Sequence, residues 1–193
     1  STIYWSLLYF ITEIFPSKYQ IEVNHLINLI FSFGAIFGIG KVCKELFNKK
    51  VGNIVFIILF FYPIFFGHMA FNSSDTVLAF SHVWIIYLVL KYFKKQNIKK
   101  KANEYIFFIG LIAALATGVQ LVFLGSLIPF FLFIIAEIFF LKKFTNKTFS
   151  KKIFFYDLLK CFLIFYVLLV LFWIDVHSNM LLLPFSFLLE TFS

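Results

Sequence analysis

The sequence predicts an all-α fold, a polytopic transmembrane helical bundle, on three observations. Of 193 residues, 62% are hydrophobic and 13% charged, where soluble domains carry roughly 25% charged. Apolar runs recur at lengths near the ~20 residues that take a helix across a bilayer. The basic residues are all lysines, 17 of them, and most lie in short clusters between those runs. A soluble enzyme is excluded, because the chain has more apolar length than an aqueous core can hide. A secreted disulfide scaffold is excluded because Cys43 and Cys161 lie far apart and read as apolar fillers. A nucleic-acid partner is excluded too: no arginine offers the bidentate fork that reads phosphates and bases. The expected partner of this surface is the lipid bilayer.

The elements follow in order. Residues 1–24 hold Glu13, Pro16, Lys18 and Glu22 among aromatic side chains, which predicts an interfacial amphipathic segment instead of a span. The transmembrane domain then occupies residues 25–193. The start at Ser1, with no basic leader or small-residue cleavage site, predicts a fragment or processed product. Six apolar segments are expected, at about His25 to Val42, Val51 to Phe66, Thr76 to Tyr92, Tyr105 to Gly118, Leu121 to Leu141 and Ile153 to Ile174. The fourth is short for a span, which predicts shielding by protein or an imperfect continuation into the fifth. The tail from Met180, broken by Pro184, predicts a further helix start or a re-entrant piece.

Lysines orient these spans. Lys41, Lys44, Lys49 and Lys50 separate the first two segments. Lys91, Lys94, Lys95, Lys99, Lys100 and Lys101 separate the third and fourth. Lys142, Lys143, Lys147, Lys151 and Lys152 separate the last two. Lysine-rich loops face the cytoplasm, so alternate loops are cytoplasmic. The intervening stretches, GHMAFNSSD, ATGVQ and DVHSN, hold no lysine and fall together on the outer side.

That outer side collects His68, Asn72, Asp75, Asp175 and His177. Pro63 and Gly67 weaken helix continuation, so the second helix should end near them. Asn72, Ser73, Ser74 or Asp75 can then N-cap the third. Two roles stay open for Asp75: a carboxylate stabilised by the helix dipole, or a functional group. His68, alone or with Asp75, could meet a divalent metal or a phosphate, although a catalytic metal generally takes three protein ligands. Asp175 and His177 read as solvated loop residues or as site lining. His82 shares a helix face with Asp75 by its i, i+7 spacing, and an ionisable group inside a span is expected to face a cavity or protein interior. Near the cytoplasmic ends, snorkelling or local pairing accounts for Glu137, Asp157 and Lys160, with Asp157 and Lys160 spaced for an i, i+3 pair. No nucleotide-binding, zinc-protease or hydrolase motif occurs. The sequons at Asn72 and Asn146 carry no argument.

One stretch goes further. Residues 21–80 run IEVNHLINLIFSFGAIFGIGKVCKELFNKKVGNIVFIILFFYPIFFGHMAFNSSDTVLAF. They contain a Glu-x-x-His at a helix start (Glu22, His25) and a basic turn followed by a small-residue helix start (Leu46 to Gly52). A Pro, Gly-His and Asn-x-x-Asp run closes the block (Pro63, Gly67, His68, Asn72, Asp75). This pattern resembles the GT-C type membrane glycosyltransferases, in particular the dolichyl-phosphate-mannose-protein mannosyltransferase-like group, glycosyltransferase family 39 and its bacterial relatives. A Gly/Ala-rich helix over residues 110–130 extends the resemblance more weakly. Ser73 and Ser74 stand where many relatives have Pro-Lys, and an arginine that many carry near Gly118 to Gln120 has no counterpart.

The resemblance implies transfer of a sugar from a polyprenyl-phosphate donor to a lipid, glycan or protein acceptor. It implies a bacterial inner (plasma) membrane and a periplasmic active face. A carboxylate base would deprotonate the acceptor hydroxyl, and a divalent metal ion or a cation would neutralise the departing lipid phosphate. Asp75 and His68 become the candidate catalytic residues, and Asn72, His82, Asp175 and His177 the candidate substrate-binding residues. The family's first outer loop, with its base carboxylate, would precede Ser1, so the 193 residues alone are expected to be inactive. Two other classes compete: a multi-span transporter or lipid-linked-sugar flippase, and a non-catalytic membrane subunit. Transporters place polar residues near mid-membrane within internal repeats, whereas no repeat is visible here and the distinctive polar residues collect in outer loops.

Overall fold

A computed structural model describes residues 3–62, 73–145, 147–172 and 186, and helix is the only regular structure among them. Five helices there are long and apolar enough to cross a membrane: Ser17–Leu46, Ser74–Lys95, Lys99–Val119, Phe123–Leu141 and Lys151–Leu171. Large apolar side chains such as Leu163, Phe155 and Ile58 stay more than half exposed, a surface suited to lipid and not to water. The protein is a multi-pass integral membrane protein with an all-α fold.

Two compact units divide the chain within one helix, one built from Tyr4–Tyr87 and one from Leu88 onward. The first opens with α1, Ile3–Glu13. At 11 residues it reaches about 16 Å, too short to cross. Glu13, one turn beyond Tyr9, raises that phenol's pKa above its ordinary value by accepting its hydrogen bond and by its charge. A 3₁₀ turn, Ser17–Tyr19, follows Pro16 and leads into α2, Gln20–Leu46. This helix starts five residues before His25, where apolarity alone set its beginning, because Gln20 and Glu22 suit a first turn without being apolar. Asn48 then turns the chain. In extended conformation it N-caps α3, Lys49–Phe60, its Oδ1 accepting from the Val51 N–H at 3.0 Å. The helix α3 stops three residues short of Pro63, in accord with the proline signal. Residues 63–72, and with them the rest of the second expected segment, lie outside the described residues.

Packing in this unit follows small residues. α4, Ser73–Lys95, is 23 residues long. A Cβ on Gly34 would sit 2.7 Å from the Phe80 ring, and one on Gly38 would sit 2.7 Å from Val83. The Gly34-x-x-x-Gly38 face of α2 therefore lets α4 approach closely, as small residues do where lipid supplies no hydrophobic drive between helices. Trp84 Nε1 donates to the Gly34 carbonyl at 3.0 Å, and Phe31 meets Phe80 edge-on at 5.2 Å between ring centroids. The contacts rise in register, Asn28 with Thr76, Gly34 with Phe80 and Gly38 with Trp84, so α2 and α4 are parallel. On α3 the order reverses, Gly40 and Lys44 meeting Gly52 while Phe33 meets Phe60, so α3 runs back between two parallel crossings.

In the second unit, α5 spans Lys99–Val119. The short fourth segment expected from apolarity is thereby corrected: this helix has 21 residues, since Lys99 to Glu104 are good helix formers that contribute a turn and a half without contributing hydrophobicity. Ala102, Ile106, Gly110, Ala114 and Gly118 are buried at successive i+4 positions. A Cβ on Gly110 would lie 2.9 Å from Ile164 Cγ2 and 3.0 Å from the Cys161 carbonyl, which locks α5 against α8, Lys151–Phe172. Gln120, extended, ends α5. α6, Phe123–Ser126, and α7, Ile128–Ala136 with Pro129 in its first turn, form the next crossing. That crossing closes on a π-helical turn, Glu137–Leu141, with Lys142 left-handed at φ 50°.

The lysine-bearing ends of this unit are tied by buried hydrogen bonds. Gln96 Oε1 accepts from the Ser150 N–H at 2.7 Å, and its Nε2 donates to the Ser150 carbonyl at 3.0 Å and to Tyr92 Oη at 2.9 Å. Tyr92 in turn donates to Asp157 Oδ2 at 2.8 Å, and Lys160 donates to Oδ1 at 3.0 Å. Residue 92 meets 157 while 96 meets 150, so α4 and α8 are antiparallel, as charge alternation requires. Lysines open α3, α5 and α8, although a cation at a helix N-terminus is disfavoured by ~0.5 kcal/mol. Sidedness in the membrane outweighs that small term.

Candidate functional site

The site begins with the first turn of α4. Ser73, Ser74 and Asp75 are all helical, so none of these three is the N-cap; Asn72, the other candidate from the sequence, lies outside the described residues. Asp75 occupies the third helical position and is exposed. A carboxylate at that position is stabilised by the positive end of the helix dipole. Because α2 and α4 are parallel, Glu22 and His25 lie at the same end of this unit as Asp75. Glu22 is exposed and His25 half-buried.

One turn inward, polarity goes underground. Thr76 Oγ1 donates to Asn28 Oδ1 between two buried side chains. Ser32 Oγ donates to the Asn28 carbonyl at 3.0 Å. Asn28 Nδ2 and, a turn above it, Asn24 Oδ1 are buried without a hydrogen-bond partner among the described residues. A buried amide donor or acceptor lacks a partner only at a cost of ~1–3 kcal/mol, so Asn28 Nδ2 can donate to, and Asn24 Oδ1 accept from, a polar group received there.

His82 lies two turns below Asp75 on the same face, half-buried. Its Nδ1 is 2.9 Å from the Leu78 carbonyl; a carbonyl can only accept, so Nδ1 carries the proton. Ser81 likewise satisfies itself on the Val77 carbonyl at 2.7 Å. Both side chains make a hydrogen bond within α4, as membrane-embedded donors do.

Of the sequence-derived candidates, then, Asp75 and His82 are placed on one helix, whereas His68, Asn72, Asp175 and His177 lie outside the described residues. No group of three His, Cys, Asp or Glu side chains suited to a metal ion occurs among the described residues. Sequence reading missed Asn28 and Thr76, although an asparagine inside an apolar run, HLINLIFS, was the signal for the first. Glu137 needs correction as well. It does not snorkel or pair with a lysine: fully buried, its Oε1 accepts from the N–H groups of Phe144 and, at 2.9 Å, Thr145. The Asp157–Lys160 pair does form.

No protein-family model matches the chain, and no curated protein or solved structure matches it.

Proposed function

We propose that this protein is a membrane glycosyltransferase of the GT-C type that transfers a sugar from a polyprenyl-phosphate donor to a lipid, glycan or protein acceptor at the outer, lysine-poor face of the membrane. The observation that carries the reading is the exposed carboxylate of Asp75 in the first turn of α4, at the same helix end as Glu22 and His25. These are residues of the motif run on which the family resemblance rests. Chemically, such a carboxylate can hold an acceptor hydroxyl in line with the anomeric carbon. The buried Asn28–Thr76 pair beneath it holds α2 and α4 in register and so fixes where the carboxylate stands. His68 and Asn72, a few residues earlier in the same run, would shape that loop, with His82, Asp175 and His177 as further substrate contacts. A divalent metal ion would meet the lipid phosphate, and Asp75 is a natural ligand for it.

Asp75→Asn separates catalysis from a helix-start role, since removing a first-turn carboxylate costs the helix only ~0.3–1 kcal/mol. In a membrane assay of the full-length protein with a polyprenyl-phosphate sugar, the expected outcome is a folded protein whose transfer rate falls by roughly 10²–10⁴. A rate within about threefold of wild type would reduce Asp75 to a helix-start residue. Lipid-linked sugar crossing the bilayer with no transfer product would favour a flippase instead.

A further inference from the structure

We infer that the cleft between the end of α2 and the start of α3 is a binding site for an anionic phospholipid headgroup of the lysine-bearing leaflet. The cleft exists because two glycines face each other. A Cβ on Gly52 would lie 2.6 Å from the Gly40 carbonyl and 3.0 Å from Lys44 Cβ, so the helices nearly touch there. The space beside them measures about 250 Å³ and is lined by Phe37, Lys41, Lys44, Asn53 and Phe56 together with the glycines.

The lining is sorted by chemistry. Lys41 and Lys44 bring two ammonium groups and Asn53 an amide, and no carboxylate lines the cleft. Lys41 Nζ stands 4.9 Å from the centre of the Phe37 ring, which pins its stem along apolar surface and aims the charge at the interface. Lys44 lies in the last turn of α2, and Lys49 and Lys50 open α3 across the turn. Phe37 is 48% exposed, and Ile54 and Ile57 beyond it are about half exposed, so the open side continues onto the lipid-facing flank of the helices. The occupant must therefore join an anion to hydrocarbon. A volume below the ~300–1,000 Å³ of sites that enclose a whole small molecule suits a phosphate headgroup whose acyl chains remain outside. Basic clefts between transmembrane helices on the cytoplasmic side have this recognition chemistry. Lysines that merely mark orientation need no cleft.

The test uses the full chain in neutral detergent, with bound lipid counted by native mass spectrometry after addition of phosphatidylglycerol, phosphatidylcholine or inorganic phosphate. Phosphatidylglycerol should be retained about thirtyfold over phosphatidylcholine, at roughly fivefold per lysine, and excess inorganic phosphate should not displace it. Lys41→Gln/Lys44→Gln should erase the preference, while Lys99→Gln/Lys100→Gln/Lys101→Gln, which removes one more charge, should keep it. Far-UV circular dichroism checks that each variant retains its helices. Equal retention of both lipids by the wild-type protein, displacement by inorganic phosphate, or loss of preference in the Lys99 to Lys101 variant would each overturn the assignment.

Discussion

Inside a bilayer an amide or hydroxyl has no water to turn to, so its partner must be protein. Thr76 Oγ1 and Asn28 Oδ1 meet that demand on each other while Asn28 Nδ2 stays without a partner among the described residues, and the strength of such a bond is modest, averaging ~0.6 kcal/mol in membranes with a maximum near 1.7. A double-mutant cycle of Asn28→Leu and Thr76→Val should therefore give a coupling energy of ~0.6–1.7 kcal/mol by reversible unfolding in mixed micelles; a coupling indistinguishable from zero would show that the bond does not hold α2 to α4. Glu137 is a stronger case. Its carboxylate receives two backbone N–H groups in a turn that already contains left-handed Lys142, a conformation costing ~1–2 kcal/mol for a side-chain-bearing residue. Glu137→Ala should destabilise by ~1–3 kcal/mol through the orphaned donors, and Lys142→Gly should recover ~1 kcal/mol by removing the strain. Melting temperatures that leave Glu137→Ala at wild-type stability would mean that water or the lipid headgroups serve those N–H groups equally well.

At the scale of the element, close approach decides. Gly110 is the point where α5 meets α8, and two terms of opposite sign compete when it becomes alanine. Helix propensity gains ~1 kcal/mol, while a methyl group 3.0 Å from the Cys161 carbonyl, a backbone atom that cannot swing aside, costs ~1–3 kcal/mol in overpacking. Gly110→Ala is expected to be net destabilising, and a thermal shift upward would show that the helices can separate freely. The same elements show what apolarity alone can and cannot reveal. Runs of Phe, Ile and Leu placed five spans near their observed positions, because only helices satisfy a backbone in lipid. They missed the start of α5 at Lys99 and of α2 at Gln20, because charged and amide side chains extend a helix into the interface without adding hydrophobicity. They also missed the π turn after Ala136, which depends on where Glu137 finds its donors.

For the whole molecule, sidedness is the claim from which the rest descends. Charge clusters in the sequence carry it; the parallel register of α2 with α4 and the antiparallel register of α4 with α8 fit the alternation of helix directions and leave the side to be measured. The candidate site was legible only in part. Asp75 and His82 could be put on one helix face from spacing, whereas the pairing of Asn28 with Thr76, 48 residues apart, depends on Gly34 and Gly38 drawing two helices together, which no local pattern encodes. A glycosyl transfer centred on Asp75 requires that carboxylate to face outward, and a headgroup site at Lys41 and Lys44 requires those lysines to face the cytoplasm. Single-cysteine labelling in intact cells tests both at once. In a Cys43→Ser/Cys161→Ser background, a membrane-impermeant maleimide should modify Ser74→Cys in intact cells and Lys99→Cys only after permeabilisation. Labelling of Lys99→Cys in intact cells, with Ser74→Cys protected, would contradict the account.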